Sequence, residues 1–203
     1  MRQLLSNLIL VFACANLSAC GYNKLQGQDE AVKAAWSEVV NQYQRRADLV
    51  PNLVNTVKGF AAQEERVLVG VTEARARASS IQLTPELIND PVAFQKFQES
   101  QAQLTSALKT LLATVEAYPD LKSNASFRDL AAQLEGTENR ISVERRDFNL
   151  AVQSYNTAIK SFPAVLYAGI LRFSPKPYFS ATPGAETPPK VQFDFGTPAT
   201  NKP

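Results

Sequence analysis

The sequence contains no histidine. That removes the commonest metal ligand and the one side chain whose unperturbed charge changes near neutrality. Cysteine is nearly as scarce: there are two, Cys14 and Cys20, both near the N-terminus. Everything beyond Cys20 therefore has neither a disulfide nor a thiol site. Neither sign of charge dominates, with 21 basic against 19 acidic residues and a net charge of +2. Nucleic acid is a poor partner for such a chain, because phosphate binding needs a concentrated basic surface. No Gly-rich phosphate-binding loop and no spaced set of metal ligands occurs. The expectation is of no cofactor, no metal and no nucleic-acid partner. A long hydrophobic run is missing too. Leu4 to Ala15 is mostly apolar, but it falls short of the roughly 20 residues that cross a bilayer.

That short run has the length of a signal-peptide core, and Arg2 supplies its positive start. It leads into Leu17-Ser18-Ala19-Cys20-Gly21. This resembles a bacterial lipobox, in which small residues precede a cysteine that is lipidated and becomes the new N-terminus. An ordinary signal peptide with an incidental cysteine is the competing reading. The lipobox reading makes residues 1–19 a signal peptide, Cys20 the lipidation site and 20–28 a lipid-anchored linker. Two or three acyl chains anchor stably, since each buried CH₂ contributes about 0.8 kcal/mol. The chain is then a lipoprotein of the bacterial envelope facing the periplasm. Glycine rather than aspartate after the cysteine favours the outer over the inner membrane.

What the chain does have is periodicity. From Val32 to Ile81, alternating steps of four and three land on Val32, Trp36, Val39, Tyr43, Arg46, Val50, Leu53, Val57, Phe60, Glu64, Val67, Val71, Ala74, Ala78 and Ile81. Only Arg46 and Glu64 interrupt this stripe, which predicts a helix buried along its length, starting with Asp29 as N-cap. Pro51 is its strong breaker. The unbroken phase favours one helix kinked near Asp48 to Pro51; a fresh helix capped by Asp48 is the alternative. A second stripe runs Phe94, Phe97, Gln101, Leu104, Leu108, Leu111, Val115, Tyr118. It begins after Pro91, with Asn89 or Asp90 as cap. After a connection over Tyr118 to Asn124, capped by Ser123 or Asn124, the third runs Phe127, Leu130, Leu134, Thr137, Ile141, Glu144, Phe148, Ala151, Tyr155, Ala158, Phe162. The predicted fold is all-α: an elongated antiparallel bundle of three long helices over 29–179, four if the first breaks at Pro51. A Pro-rich tail, 180–203, has linker composition. Within it Val191-Gln192-Phe193-Asp194-Phe195 is an apolar island.

Several segments carry a resemblance. Tyr22-Asn23-Lys24-Leu25, Ala35-Trp36-Ser37-Glu38-Val39 and the run Gln44 to Val54 are similar to the opening of the LemA family. So are Val57-Lys58-Gly59-Phe60, Glu116 to Lys122, Leu134 to Ile141 and Tyr155 to Pro163. The likeness covers about Gly21 to Phe179. It implies a long helical bundle tied to a membrane at its N-terminus, with no established catalytic residues to carry over. Many members keep an uncleaved transmembrane helix, where this chain has a lipobox.

Candidate functional residues are few. Arg46 and Glu64 either snorkel to water from a stripe edge or pair with groups on other helices. Asn149 and Asn156, seven apart on one helix face, are poor helix formers. They either set register by hydrogen bonding to neighbouring helices or chain ends, or form a strip for a partner. Arg45-Arg46 and Arg140, Arg145-Arg146 are basic clusters whose default reading is ion pairing or solvation. Three function classes follow. The first is a non-enzymatic adaptor binding another envelope protein. The second is a cell-wall enzyme working through Glu64, Glu138 or Glu144. The third is a membrane-surface remodeller using the apolar segment Ala164 to Phe179. The absence of a nucleophile or motif favours the first.

Overall fold

The computed structural model describes the backbone of residues 2–61 and 64–180, and side chains from Gly21 onward within those limits. All regular structure among these residues is helical. The α-helices are α1 (Arg2–Phe60), α2 (Glu65–Ser79), α3 (Pro91–Val115), α4 (Pro119–Ser123) and α5 (Ala125–Lys160), with 3-10 turns at Pro85–Asn89 and Ala164–Leu166. The side chain of Cys20 and the tail from 181, with its Val191–Phe195 island, lie outside the described residues.

Two expectations are corrected along α1. The helix already includes residues 21–28, so Asp29 is not its N-cap. Leu25, in that stretch, is buried. As the unbroken phase of the stripe favours, the helix runs on through Pro51. Proline lacks the N–H that would bond the carbonyl four residues back, at Ala47. Arg75 of α2 fills the vacancy, its Nε donating to the Ala47 carbonyl at 2.8 Å. The break comes instead after Phe60. There the Ala61 N–H still reaches Val57 O at 2.8 Å, and Glu64 N–H turns back to Ala61 O at 3.1 Å. Gly59, a weak helix former, stands beside it. Folding α2 back lets Leu68, Val71, Ala74 and Ala78 share a core with Val50, Leu53 and Val57. The stripe kept its phase across the break because both helices face one core. Periodicity reports which side is buried, not whether the helix is continuous.

Phe60 pays no part in that core: it is 47% exposed, and Ala61 is buried in its place. Phe162, the last residue of the third stripe, is 80% exposed. The caps follow the sequence closely. Asp90 accepts from Val92 N at 2.9 Å and Ala93 N at 3.1 Å with Pro91 in the first turn. Asn124 accepts from Phe127 N at 3.0 Å. The Tyr118–Asn124 connection contains the single turn α4.

Helix α5 runs antiparallel to α1. Gln28 meets Ser154, Trp36 meets Phe148, and Arg46 meets Glu138. The interior divides into two apolar clusters. One gathers Trp36, Tyr43, Phe94, Phe97, Phe148 and Tyr155 with the 3-10 residues Leu87 and Ile88. The other gathers Val50, Leu53 and Val57 of α1 and Ala61 just past its end with α2, the second half of α3 and the start of α5.

Candidate functional site

Arg46 sits where the two clusters meet. It is 1% exposed, so its guanidinium must find partners inside the protein. Nη1 donates to Thr105 Oγ1 at 2.8 Å and to Glu138 Oε1 at 2.5 Å. Nη2 donates to Gln101 Oε1. Gln101 and Thr105 are four apart in α3, hence on one face. One guanidinium thereby joins α1, α3 and α5. Its carbon also lies 5.0 Å from the Tyr43 ring centre. Burial pushes the Tyr43 hydroxyl pKa up, against the pull of Arg145 and Arg46. Arg45, its neighbour in sequence, is exposed and takes no part. A groove of about 770 Å³ opens beside this junction, lined by Tyr43, Arg46, Gln101, Glu138 and Arg145 among others.

Asn149 and Asn156 serve a different element. The chain after α5 returns as an extended strap across that helix. Asn156 Nδ2 donates to Lys176 O at 2.9 Å, and its Oδ1 accepts from Lys176 N at 2.9 Å. Asn149 does the same with Phe179, at 3.0 and 2.9 Å. Each side-chain amide pairs with the strap as a neighbouring backbone would. The spacing explains why both can. Seven helical residues rise about 10.5 Å, and three extended residues span about 10 Å. The amides of Asn149 and Asn156 are thus engaged by the chain's own strap.

The strap is held at further points. Phe179 inserts its ring among Trp36, Phe94, Phe97 and Phe148, and Arg145 lies over that ring at 4.7 Å. Arg145 Nη2 donates to Ser180 O at 2.7 Å, and Ser180 N donates to Gln98 Oε1 at 2.9 Å. Lys176 is buried, its ammonium 2.8 Å from Asp29 Oδ1 and 2.8 Å from Asn89 Oδ1. Burial works to raise the Asp29 pKa, but Lys176 and Lys33 outweigh it and the carboxyl ends below its ordinary value. Burial, with Asp29 adding to it, holds the Tyr155 hydroxyl up at about 12.

The glutamates do not assemble. Glu64 accepts a hydrogen bond from Tyr118 Oη at 2.7 Å at the α1–α2 corner. Glu138 belongs to Arg46. Glu144 lies six residues further along α5, about 9 Å of rise and on another side of the helix. Glu64 meets α4's end of the fold, whereas Glu144 lies twenty residues into α5, roughly 30 Å of helix away.

Gln101, Thr105, Arg75 and the Asp29–Lys176 pair were not picked out from sequence, and Glu138 was singled out as a candidate catalytic carboxylate rather than as the partner of Arg46. Part of the signal was present, since Arg46, Gln101 and Thr137 each interrupt an apolar stripe. Among the described residues no helix is long and apolar enough to cross a membrane, and no group of acidic or sulfur ligands is placed to hold a metal.

A family model described as the LemA family matches residues 35–193. Magnetosome protein MamQ of Magnetospirillum gryphiswaldense is 28% identical over 183 residues, covering 82% of this chain and 67% of the relative. Magnetosome protein MamQ 1 of Paramagnetospirillum magneticum is 27% identical over the same shares. Protein LemA of Metamycoplasma hominis is 24% identical over 140 residues, 69% of this chain and 60% of that one. The family match takes in α1 from Ala35 onward, α2 to α5, and the strap with its two asparagine clasps, and the chain belongs to the LemA family.

Proposed function

We propose that this chain is a lipid-anchored, non-enzymatic scaffold or adaptor of the bacterial envelope. It is held by an acylated Cys20, faces the periplasm, with the outer membrane favoured, and binds another envelope protein through an exposed side of the bundle. One observation carries the reading. Of the polar side chains brought into the interior, Arg46, Gln101, Asn156 and Lys176 join helices and strap to one another and Ser100 and Thr137 bond back to their own helices, while Glu64, Glu138 and Glu144 are dispersed. A catalytic carboxylate pair needs two groups converging on one cleft. The relatives' names, magnetosome protein among them, name no reaction. The shape suits the role. In an elongated antiparallel bundle, Gly21 to Phe60 of α1 spans about 60 Å, which carries the far corner well away from the anchor.

Crosslinking in intact cells, followed by purification and mass spectrometry, tests this. The wild type should recover a defined envelope protein that Cys20→Ser loses. Turnover of an envelope substrate by the purified chain, abolished by a single carboxylate substitution, would overturn the non-enzymatic reading. Cys20→Ser protein that still sediments with membranes would overturn the lipid anchor.

A further inference from the structure

Twelve large apolar side chains are exposed among the described residues, and five of them fall within ten residues: Phe162, Val165, Leu166, Ile170 and Leu171. Scattered apolar residues on a surface need no explanation, but a contiguous group does. This loop follows α5 and is pinned from below. Ala164 and Ala168 are buried in the aromatic cluster, and backbone bonds Val165 N to Ser161 O, Ala168 N to Ala164 O and Phe173 N to Ala168 O hold its turns. The large apolar side chains point away from the core that the small ones enter. Ile170 is the most exposed at 82%, and Arg172, two residues on, takes the left-handed conformation at φ 61°.

The loop's neighbour says what covers it. Gly21 of α1 packs against Tyr167 so closely that a Cβ there would stand 2.2 Å from the Tyr167 hydroxyl oxygen. Gly21 directly follows Cys20. Any lipid on Cys20 therefore enters the bilayer beside this loop. The charges agree. Lys24, Lys160 and Arg172 are exposed here, and no carboxylate occurs in residues 21–28 or 148–180. The nearest acids along α1 are engaged: Asp29 by Lys176 and Lys33, Glu30 by Lys33. An apolar tip ringed by cations fits an anionic bilayer surface, with the side chains among the acyl chains and the ammonium and guanidinium groups at the headgroups.

We propose that Phe162–Leu171 is a second membrane contact, which inserts beside the lipid on Cys20 and fixes the tilt of the bundle on an anionic bilayer. A lipid alone is a swivel; a lipid and a wedge rigidly joined through Gly21 and Tyr167 define an orientation. The inference rests on the lipid-anchor reading of Cys20.

The test uses the full lipidated chain in phosphatidylglycerol–phosphatidylethanolamine vesicles. Leu166→Cys and Ile170→Cys each add one free thiol for a spin label, with Val69→Cys on α2 as an exposed control. These side chains face solvent, so the substitutions leave the core intact. Labels at 166 and 170 should be at least fivefold less accessible to a water-soluble relaxant than the label at 69, and more accessible to oxygen. Leu166→Asp with Ile170→Asp should return a label at Leu171→Cys to water while the protein stays on the vesicles. Vesicle-bound protein whose 166 and 170 labels are as wet as that at 69 overturns the wedge and leaves the anchor standing. Protein that does not bind vesicles at all overturns both. Shielding that appears only at high protein density, with dipolar broadening between labels, means a second copy covers the loop and also overturns the proposal.

Discussion

Arg45 and Arg46 are adjacent and chemically alike, yet one is solvated and the other is enclosed by three helices. Arg45→Ala should change stability by no more than about 0.5 kcal/mol, as for most exposed positions. Arg46→Ala should cost about 3 kcal/mol, since it opens a cavity and strands Gln101 and Glu138. Arg46→Met combined with Glu138→Leu should recover more than half of that loss, because it removes both charges at once. Urea denaturation of the four proteins checks this. Asp29 makes a pH-dependent case. Its folded pKa lies below the ordinary aspartate value of 3.8, so its contribution is complete above that value and is lost as pH falls through the folded pKa. Asp29→Asn should cost about 3 kcal/mol at neutral pH by leaving the Lys176 ammonium without its carboxylate. It should also flatten the fall in melting temperature below about pH 4. A mutant whose acid limb parallels the wild type would contradict the pairing.

At the scale of elements, Pro51 illustrates how a helix survives its breaker. The proline removes one donor, and a side chain from the next helix supplies another. Arg75→Ala should cost about 1–3 kcal/mol by leaving the Ala47 carbonyl without its partner. Pro51→Ala returns an N–H to the helix, so in that background Arg75→Ala should cost distinctly less. A double-mutant cycle with no coupling between the two positions would show that Arg75 acts only by packing. The strap behaves similarly, as an extended segment whose backbone is satisfied by two asparagines rather than by a second strand.

At the scale of the molecule, the strap packs on one apolar cluster and the α1–α2 corner on the other. Phe179 and Phe60 mark the two regions and are opposite in burial, at 5% and 47% exposed. Phe179→Ala should cost about 3–5 kcal/mol by emptying the centre of the aromatic cluster. Phe60→Ala, which the stripe alone would place in the core, should cost under about 1 kcal/mol. Thermal melts of the two variants separate these outcomes; similar losses would mean the corner is packed differently.

Local chemistry was sufficient for much of this fold. Four-three spacing marks the buried faces, proline and asparagine set the starts of α3 and α5, and the family motifs are contiguous words in the chain. Such features depend on near neighbours, so they are written in order along the sequence. Tertiary structure alone decided that α1 ends at Phe60, because two helices facing one core share one phase, and that Arg75 fills the vacancy left by Pro51, because Arg75 is remote in sequence from Ala47. It alone paired Lys176 with Asp29, brought Gln101, Thr105 and Glu138 to Arg46, and matched Asn149 and Asn156 to Phe179 and Lys176. Those partners are distant in sequence, and a polar residue in an apolar stripe announces that it needs a partner without naming which one packing will deliver.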